Sequence, residues 1–462
     1  MLVKEEMGKR LNDWAIKVED ELKLMTTAET AEMQQRNKQS IYKLPKCFTD
    51  LNKKAYMPQF VSFGPNHNWE SYVQALGPIH NWDPHLQAME KHKRRALLHF
   101  LKKSGKPLAS YVAALAEVAP NLKDSYGSLN SFWEHDTDGF LMMMILDGCF
   151  MLEVLRTWTS QRTHDYSHSD PIFSEHGKLH VVPYIRRDMM MLENQLPMLL
   201  LTTLLAVENE ETQQDEESVN KLIREFCFPN PWFPLDFRIG KCLHLLDVYR
   251  SSLLMEDTVK RAKRRILRNG NPTALTGGNE IIRSAMELSD AGIRFKKSRS
   301  ASLNDISFTG GVLSLPPIVV DDTTESTFLN LIAFERFHVN FAGSEVTSYI
   351  FFMSKIIESA EDVSLLRARG IIKNALGSDN DVSILFNSLS KDVTLDQDTS
   401  LYGLHGEVNR YWKERRVRVY LMKNYFRNPW AMLSLIGAVF LFFFMIAQAA
   451  YTIISYHDPA KN

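Results

Sequence analysis

Apolar residues recur at helical spacing through most of this chain. Over 85–103, Leu86, Met89, Leu97, Leu98 and Leu101 oppose a highly charged side, which predicts an amphipathic helix. The run 140–156, FLMMMILDGCFMLEVLR, is apolar on most faces and reads as a central buried helix. Segment 188–207 repeats that character, with Pro197 expected to kink it. Further helices are predicted over 324–337, 345–360, 363–375 and 381–389, with Thr324 and Asp381 as caps and Gly377 as a stop. The last apolar run, 430–454, holds no charged residue. At ~1.5 Å per residue it is roughly 37 Å long, enough to cross a ~30 Å hydrocarbon core. A core helix of that length would normally keep a polar stripe.

Near 290–320 the period shortens. Ile293, Arg294 and Phe295, then 302–308, then 311–322 read as short strands. The last contains Pro316 and Pro317, which predicts an edge position. Segment 57–84 is loop chemistry with large apolar anchors. The acidic run 208–217 is expected to be an exposed insertion, and the basic run 260–268 a charged helix end or a partner for it. The predicted organisation is a charged N-terminal arm over 1–40 and a largely helical domain over 41–428, subdivided at a linker over 269–280. A transmembrane helix over 429–455 and a short tail over 456–462 follow. The fold class is mainly α: a helical globular body with a small β patch and one C-terminal transmembrane helix.

Before the apolar run stand Arg410, Lys413, Arg415, Arg416, Arg418, Lys423 and Arg427, against Glu414 alone. After it come Asp458 and Lys461. The positive-inside rule therefore predicts a single-pass membrane protein with a cytosolic body. The first residues are charged and carry no apolar signal region, in keeping with that orientation. Trp430 and either Tyr451 or Tyr456 suit the two aromatic belts.

Composition narrows the classes: 45% apolar and 24% charged residues describe a folded chain, and a formal charge of -1 gives no case for nucleic-acid binding. Cys47, Cys149, Cys227 and Cys242 form no CxxC pair, and Cys149 and Cys227, in apolar surroundings, read first as buried thiols. No Gly-rich phosphate loop, HExxH or GxSxG is present, so neither a cofactor nor a metal is expected and the chain reads as non-enzymatic.

Several residues nonetheless need an explanation. Asp147 interrupts the apolar run 140–156, and a buried carboxylate must be paired, with Arg186 or Arg187 as expected partners. Glu193, Asn194 and Gln195 form a polar knot between apolar arms. Its default role is to fix helix packing; the alternative is an acid pair with Asp147 in an enzyme of unfamiliar type. His67, Trp69 and Trp82 crowd one loop region, either as packing anchors or as a ligand surface. His244 and Asp247 are spaced to share a helix face near Cys242, where a satisfied helix histidine is the default over a metal ligand.

Read in order, these motifs resemble the plant family called domain of unknown function 247. The marks are Val61-Ser62-Phe63-Gly64-Pro65 with His67, Met89-Glu90-Lys91-His92-Lys93, Leu146-Asp147-Gly148-Cys149-Phe150 and Leu192-Glu193-Asn194-Gln195-Leu196-Pro197. Ser284-Ala285-Met286-Glu287-Leu288, Gly311-Val312-Leu313-Ser314-Leu315-Pro316, Asn330-Leu331-Ile332-Ala333-Phe334-Glu335 and Asn428-Pro429-Trp430 continue the series. Asn66 departs from the family, whose members usually carry Tyr there. The resemblance implies a membrane-associated plant protein without established enzymatic activity. Some grass members are linked to self-incompatibility as pollen-side recognition determinants. For this chain that implies a plasma-membrane recognition or signalling protein. Its partner would be a small secreted pistil protein or a related family member, and its tail would contact lipid. An inner-face scaffold is the further alternative.

Overall fold

A computed structural model describes residues 14, 17, 39–50, 52–67, 84–159, 166–210, 215–228, 237–255, 283–338, 342–391, 393, 400–421 and 429–457. It divides into two compact units, one drawn from 1–255 and 322–347 and the other from 256–321 and 348–462. Helices dominate both.

The first unit is built around one helix. Short α1 (Lys46–Thr49) and α2 (Lys53–Tyr56) precede α3 (Pro84–Ser104), α4 (Leu108–Asp124), α5 (Ser131–His135) and α6 (Thr137–Thr159). Then come α7 (Glu175–His180), α8 (Val182–Met189), a 3-10 turn (Leu192–Asn194), α9 (Met198–Asn209), α10 (Glu216–Cys227) and α11 (Leu245–Leu253). Helix α6 is buried on nearly every face because α3, α4, α9 and α10 all pack on it. Gly148 lets α9 approach closely: a Cβ there would lie 2.5 Å from Leu204 Cδ1 on α9.

Pro197 does not kink a helix. It stands as the N-cap of α9, with extended backbone, where its missing amide hydrogen is no loss. The chain turns by 102° between Val182–Met189 and Leu192–Asn209. The acidic run is likewise not a free loop at its ends: Glu208 lies on α9 and pairs with Arg156, and Glu217 on α10 pairs with Arg224.

In the second unit, α12 (Ala285–Asp290) leads into β1 (Arg294–Lys297), β2 (Ser307–Thr309) and β3 (Val312–Leu315). Strand β3 lies in the middle, parallel to β1 and antiparallel to β2, so the edge position expected for 311–322 fails for β3. Pro316 and Pro317 instead end β3 and separate it from β4 (Ile318–Val320), which pairs in parallel with β5 (Ile372–Asn374) in another sheet. Helix α13 (Thr324–Phe337) belongs to the first unit and spans the predicted residues. Helix α14 (Glu345–Ile356) stops earlier than expected. Helix α15 (Ala360–Ala368) ends before Gly370, whose φ of 69° lets the chain turn into β5. Gly377 precedes α16 (Asp379–Leu389) rather than stopping a helix, and Asp381 sits inside it. Two long helices complete the chain, α17 (Ser400–Leu421) and α18 (Pro429–His457). Over Leu433–Ile453, 21 residues, α18 is long and apolar enough to cross a membrane, and its side chains are exposed. The basic run 260–268 and the linker 269–280 lie outside the described residues.

Candidate functional site

Four buried polar residues, Asp188, Asn194, Asp147 and Lys93, converge on one extended segment, Gln59 to Gly64, in the first unit. Its backbone is satisfied by side chains rather than by a neighbouring strand. Asp188 Oδ2 accepts from the amides of Gln59, Phe60 and Val61 at 3.1, 2.6 and 2.9 Å. Asn194 Oδ1 accepts from Phe63 N at 2.6 Å, while its Nδ2 donates to Val61 O and Asp188 O at 3.0 and 2.9 Å. Asp147 Oδ2 accepts from Gly64 N at 2.8 Å. Gly64 has a φ of 68°, and a Cβ there would meet Tyr126 Oη at 2.8 Å, so both backbone and space require glycine.

Lys93 closes this arrangement. Its ammonium is fully buried and meets Asp147 Oδ1 at 2.7 Å, Glu90 Oε1 at 2.7 Å and Ser62 O at 2.6 Å. Three acceptors satisfy the three donors of an ammonium group. Burial opposes the charge on Lys93, yet Asp147 and Glu90 outweigh it and hold the amine above its usual range. Burial pushes the Asp147 carboxyl up, against the pull of Lys93. The expected arginine partners act elsewhere. Arg187 pairs with Asp188 at 2.9 Å, and Arg186 lies over the rings of Trp158 and Phe226. Lys93 sits among so many other charges on α3 that sequence alone gave no reason to bury it.

The remaining knot residues hold other backbones. Glu193 Oε1 accepts from Leu44 N at 2.7 Å, and its carboxyl is raised by burial. Gln195 donates through Nε2 to Met189 O and Met191 O at 2.6 and 2.8 Å, and its Oε1 accepts from Leu246 N at 3.0 Å. Glu193 and Asp147 are thus each occupied by donors of the chain. Asn330 and Glu335 on α13 work the same way. Asn330 accepts from Leu192 N and donates to Ala55 O, while Glu335 binds Val346 N, Thr347 N and Arg250.

His67 is nearly buried, 3.9 Å from Glu193 Oε2, and burial lowers its pKa to about 4. Trp69 and Trp82 lie outside the described residues. His244 caps α11: its Nδ1 accepts from Asp247 N at 3.3 Å, so the Nε2 proton donates to Ser40 O at 3.1 Å. Burial lowers its pKa to about 3, matching a neutral ring with both nitrogens used. All four cysteines are free thiols, and no group of three or more metal-ligating side chains occurs among the described residues.

Four of the motifs that mark the resemblance, those holding Lys93, Asp147, Glu193 to Gln195, and Asn330 with Glu335, therefore share one structural task, binding distant backbone segments through buried side chains. The plant family of unknown function, domain of unknown function 247, matches residues 41–444, and the chain belongs to it. A UPF0481 protein of Arabidopsis thaliana is 31% identical over 451 residues, covering 91% of this chain and 88% of that protein. A putative UPF0481 protein of the same plant is 22% identical over 503 residues, covering 88% and 89%. No solved structure matches the chain.

Proposed function

We propose that this family member is a membrane-anchored recognition or signalling protein that acts through protein contacts rather than catalysis. The carrying observation is the exposed apolar helix Leu433–Ile453, which among the described residues is the one unbent helix long and apolar enough to cross a membrane. Exposure of so many large apolar side chains in water is unfavourable by about 25 cal/mol per Å², so a lipid environment is the natural home of α18. Apolar helix α9 has no such need, because it packs on α6 and buries Leu200, Leu201, Leu204 and Leu205. Occupation of Asp147, Glu193, Asn194 and Gln195 by structural bonds supports the non-catalytic reading, since groups locked by backbone donors are poorly placed to move protons.

The basic segment before α18 supports a cytosolic body at the inner face of the plasma membrane. In the pollen-side self-incompatibility role that the resemblance implies, the partner is a small secreted pistil protein, and the body must face outward. With the cytosolic orientation we favour, the partner is a related family member or another inner-face protein. Protease treatment of sealed, right-side-out vesicles separates these. The inner-face reading expects the body to be protected until the vesicles are opened. Digestion of the body in intact vesicles would exclude that reading and favour the outward-facing one.

A further inference from the structure

One cleft lies apart from the polar knot. Arg95, Leu98, His99 and Lys102 occupy positions i, i+3, i+4 and i+7 of α3 and form one stripe. With Tyr166, Ser167, Ser169, Asp170 and Pro171 they line a cavity of about 460 Å³ in the first unit.

Its walls are braced from behind. Glu153, buried on α6, accepts from Tyr166 Oη at 2.5 Å and from His99 Nδ1 at 2.9 Å. The Tyr166 ring stacks between His99 and Phe173 at centroid distances of 4.0 and 4.3 Å. Asp170 binds Arg95 Nη2 at 2.8 Å and the amides of Ile172 and Phe173 at 2.9 Å each. These bonds fix the wall and leave the opening to Leu98, 63% exposed, and to exposed Lys102.

The charge balance states what fits. Asp170 offsets Arg95 and Glu153 stands behind His99, whereas Lys102 meets no acidic partner among the described residues. Among the described lining residues Lys102 is thus an exposed, unpaired positive charge beside the apolar shelf of Leu98. A single carboxylate matches it better than a doubly charged phosphate. The exposed rim leaves the cleft too open to enclose a free small molecule, which normally loses most of its surface to its site. We propose that this cleft seats an acidic side chain, flanked by an aliphatic one, from a protein partner. The inference rests on the recognition reading above and supplies a chemical rule for the partner.

The test pans a displayed library of short random peptides against the full chain in nanodiscs. Enriched sequences should carry Glu or Asp beside Leu, Ile or Val. Replacing that acid by its amide in synthetic peptides, and Lys102→Gln in the protein, should each weaken binding about threefold to fivefold. Leu98→Ser, also at an exposed position, should weaken it as well. No enrichment, enrichment without an acid, or binding unchanged by both variants would overturn the proposal. None of these outcomes bears on anchoring through α18, so the two readings fail separately.

Discussion

Lys93 Nζ lies 2.7 Å from Asp147 Oδ1, with the two side chains 0% and 1% exposed. The pair joins α3 to α6, and each partner also holds a backbone group of the segment before Pro65. Removing only the amine strands a buried carboxylate. Lys93→Met should therefore destabilise the first unit by about 3–5 kcal/mol. Adding Asp147→Asn removes the stranded charge and keeps an acceptor for Gly64, so the double variant should recover part of that loss. Thermal unfolding of the full chain in detergent measures both, and a strictly additive double variant would contradict the coupling.

Gly148 on α6 leaves no room for a Cβ against Leu204 and Leu200 of α9. Gly148→Ala should cost about 1–3 kcal/mol through overpacking against Leu204 and Leu200. Combining it with Leu204→Val should return some of that stability, measured by the same unfolding experiment. An unchanged midpoint in Gly148→Ala would mean that the two helices are not so closely packed.

Helix α6, the run of α13 and the apolar C-terminal helix were legible because periodicity and residue size suffice to mark them. The position of Glu193, Asn194 and Gln195 between apolar arms was legible too. Their partners were not. A side chain that binds the backbone of residues 59–64 from 31 positions away, as Lys93 does, or from 127 to 129, as Asp188 does, leaves no periodic trace, so Lys93 passed for surface charge and Asp188 for the start of a helix. The two prolines after β3 misled for a related reason. They bar continuation of a strand but say nothing about whether the strand they end lies at an edge or in the middle.

His244 offers a pH prediction. Its folded pKa, about 3, lies below the ordinary value of 6.5 because burial disfavours the imidazolium and His338 stands nearby. A depressed pKa contributes stability above the unfolded value that is lost as pH falls toward the folded one. His67 and His338, both lowered to about 4, act in the same direction, while the raised carboxyls Asp188, Glu193 and Glu335 oppose it. The comparison must therefore be made against a variant. His244→Asn keeps an N-cap acceptor and should lose roughly 1–2 kcal/mol at pH 7. Between about pH 6.5 and pH 4 the gap to wild type should narrow, because wild type alone loses the His244 contribution. Unfolding midpoints across that range decide it, and a gap that widens on acidification would refute a neutral, buried His244.

Exposed Arg410, Lys413 and Arg415 on α17 lie on the approach to α18. Basic residues near an anionic surface contribute about 1 kcal/mol each. Full chain extracted from mixed bilayers should co-purify with phosphatidylserine above its bulk fraction. Replacing all three residues by Gln should remove most of that enrichment, and an unchanged lipid ratio would rule out their part in it.

The claim on which the rest depends is that α18 sits in lipid. Alkaline carbonate extraction of membranes from plant cells expressing the full chain, beside a form lacking 429–457, tests it most directly. The account predicts that the full chain stays in the membrane pellet and that the shortened form is released. Release of the full chain into the supernatant as a monomer would contradict it.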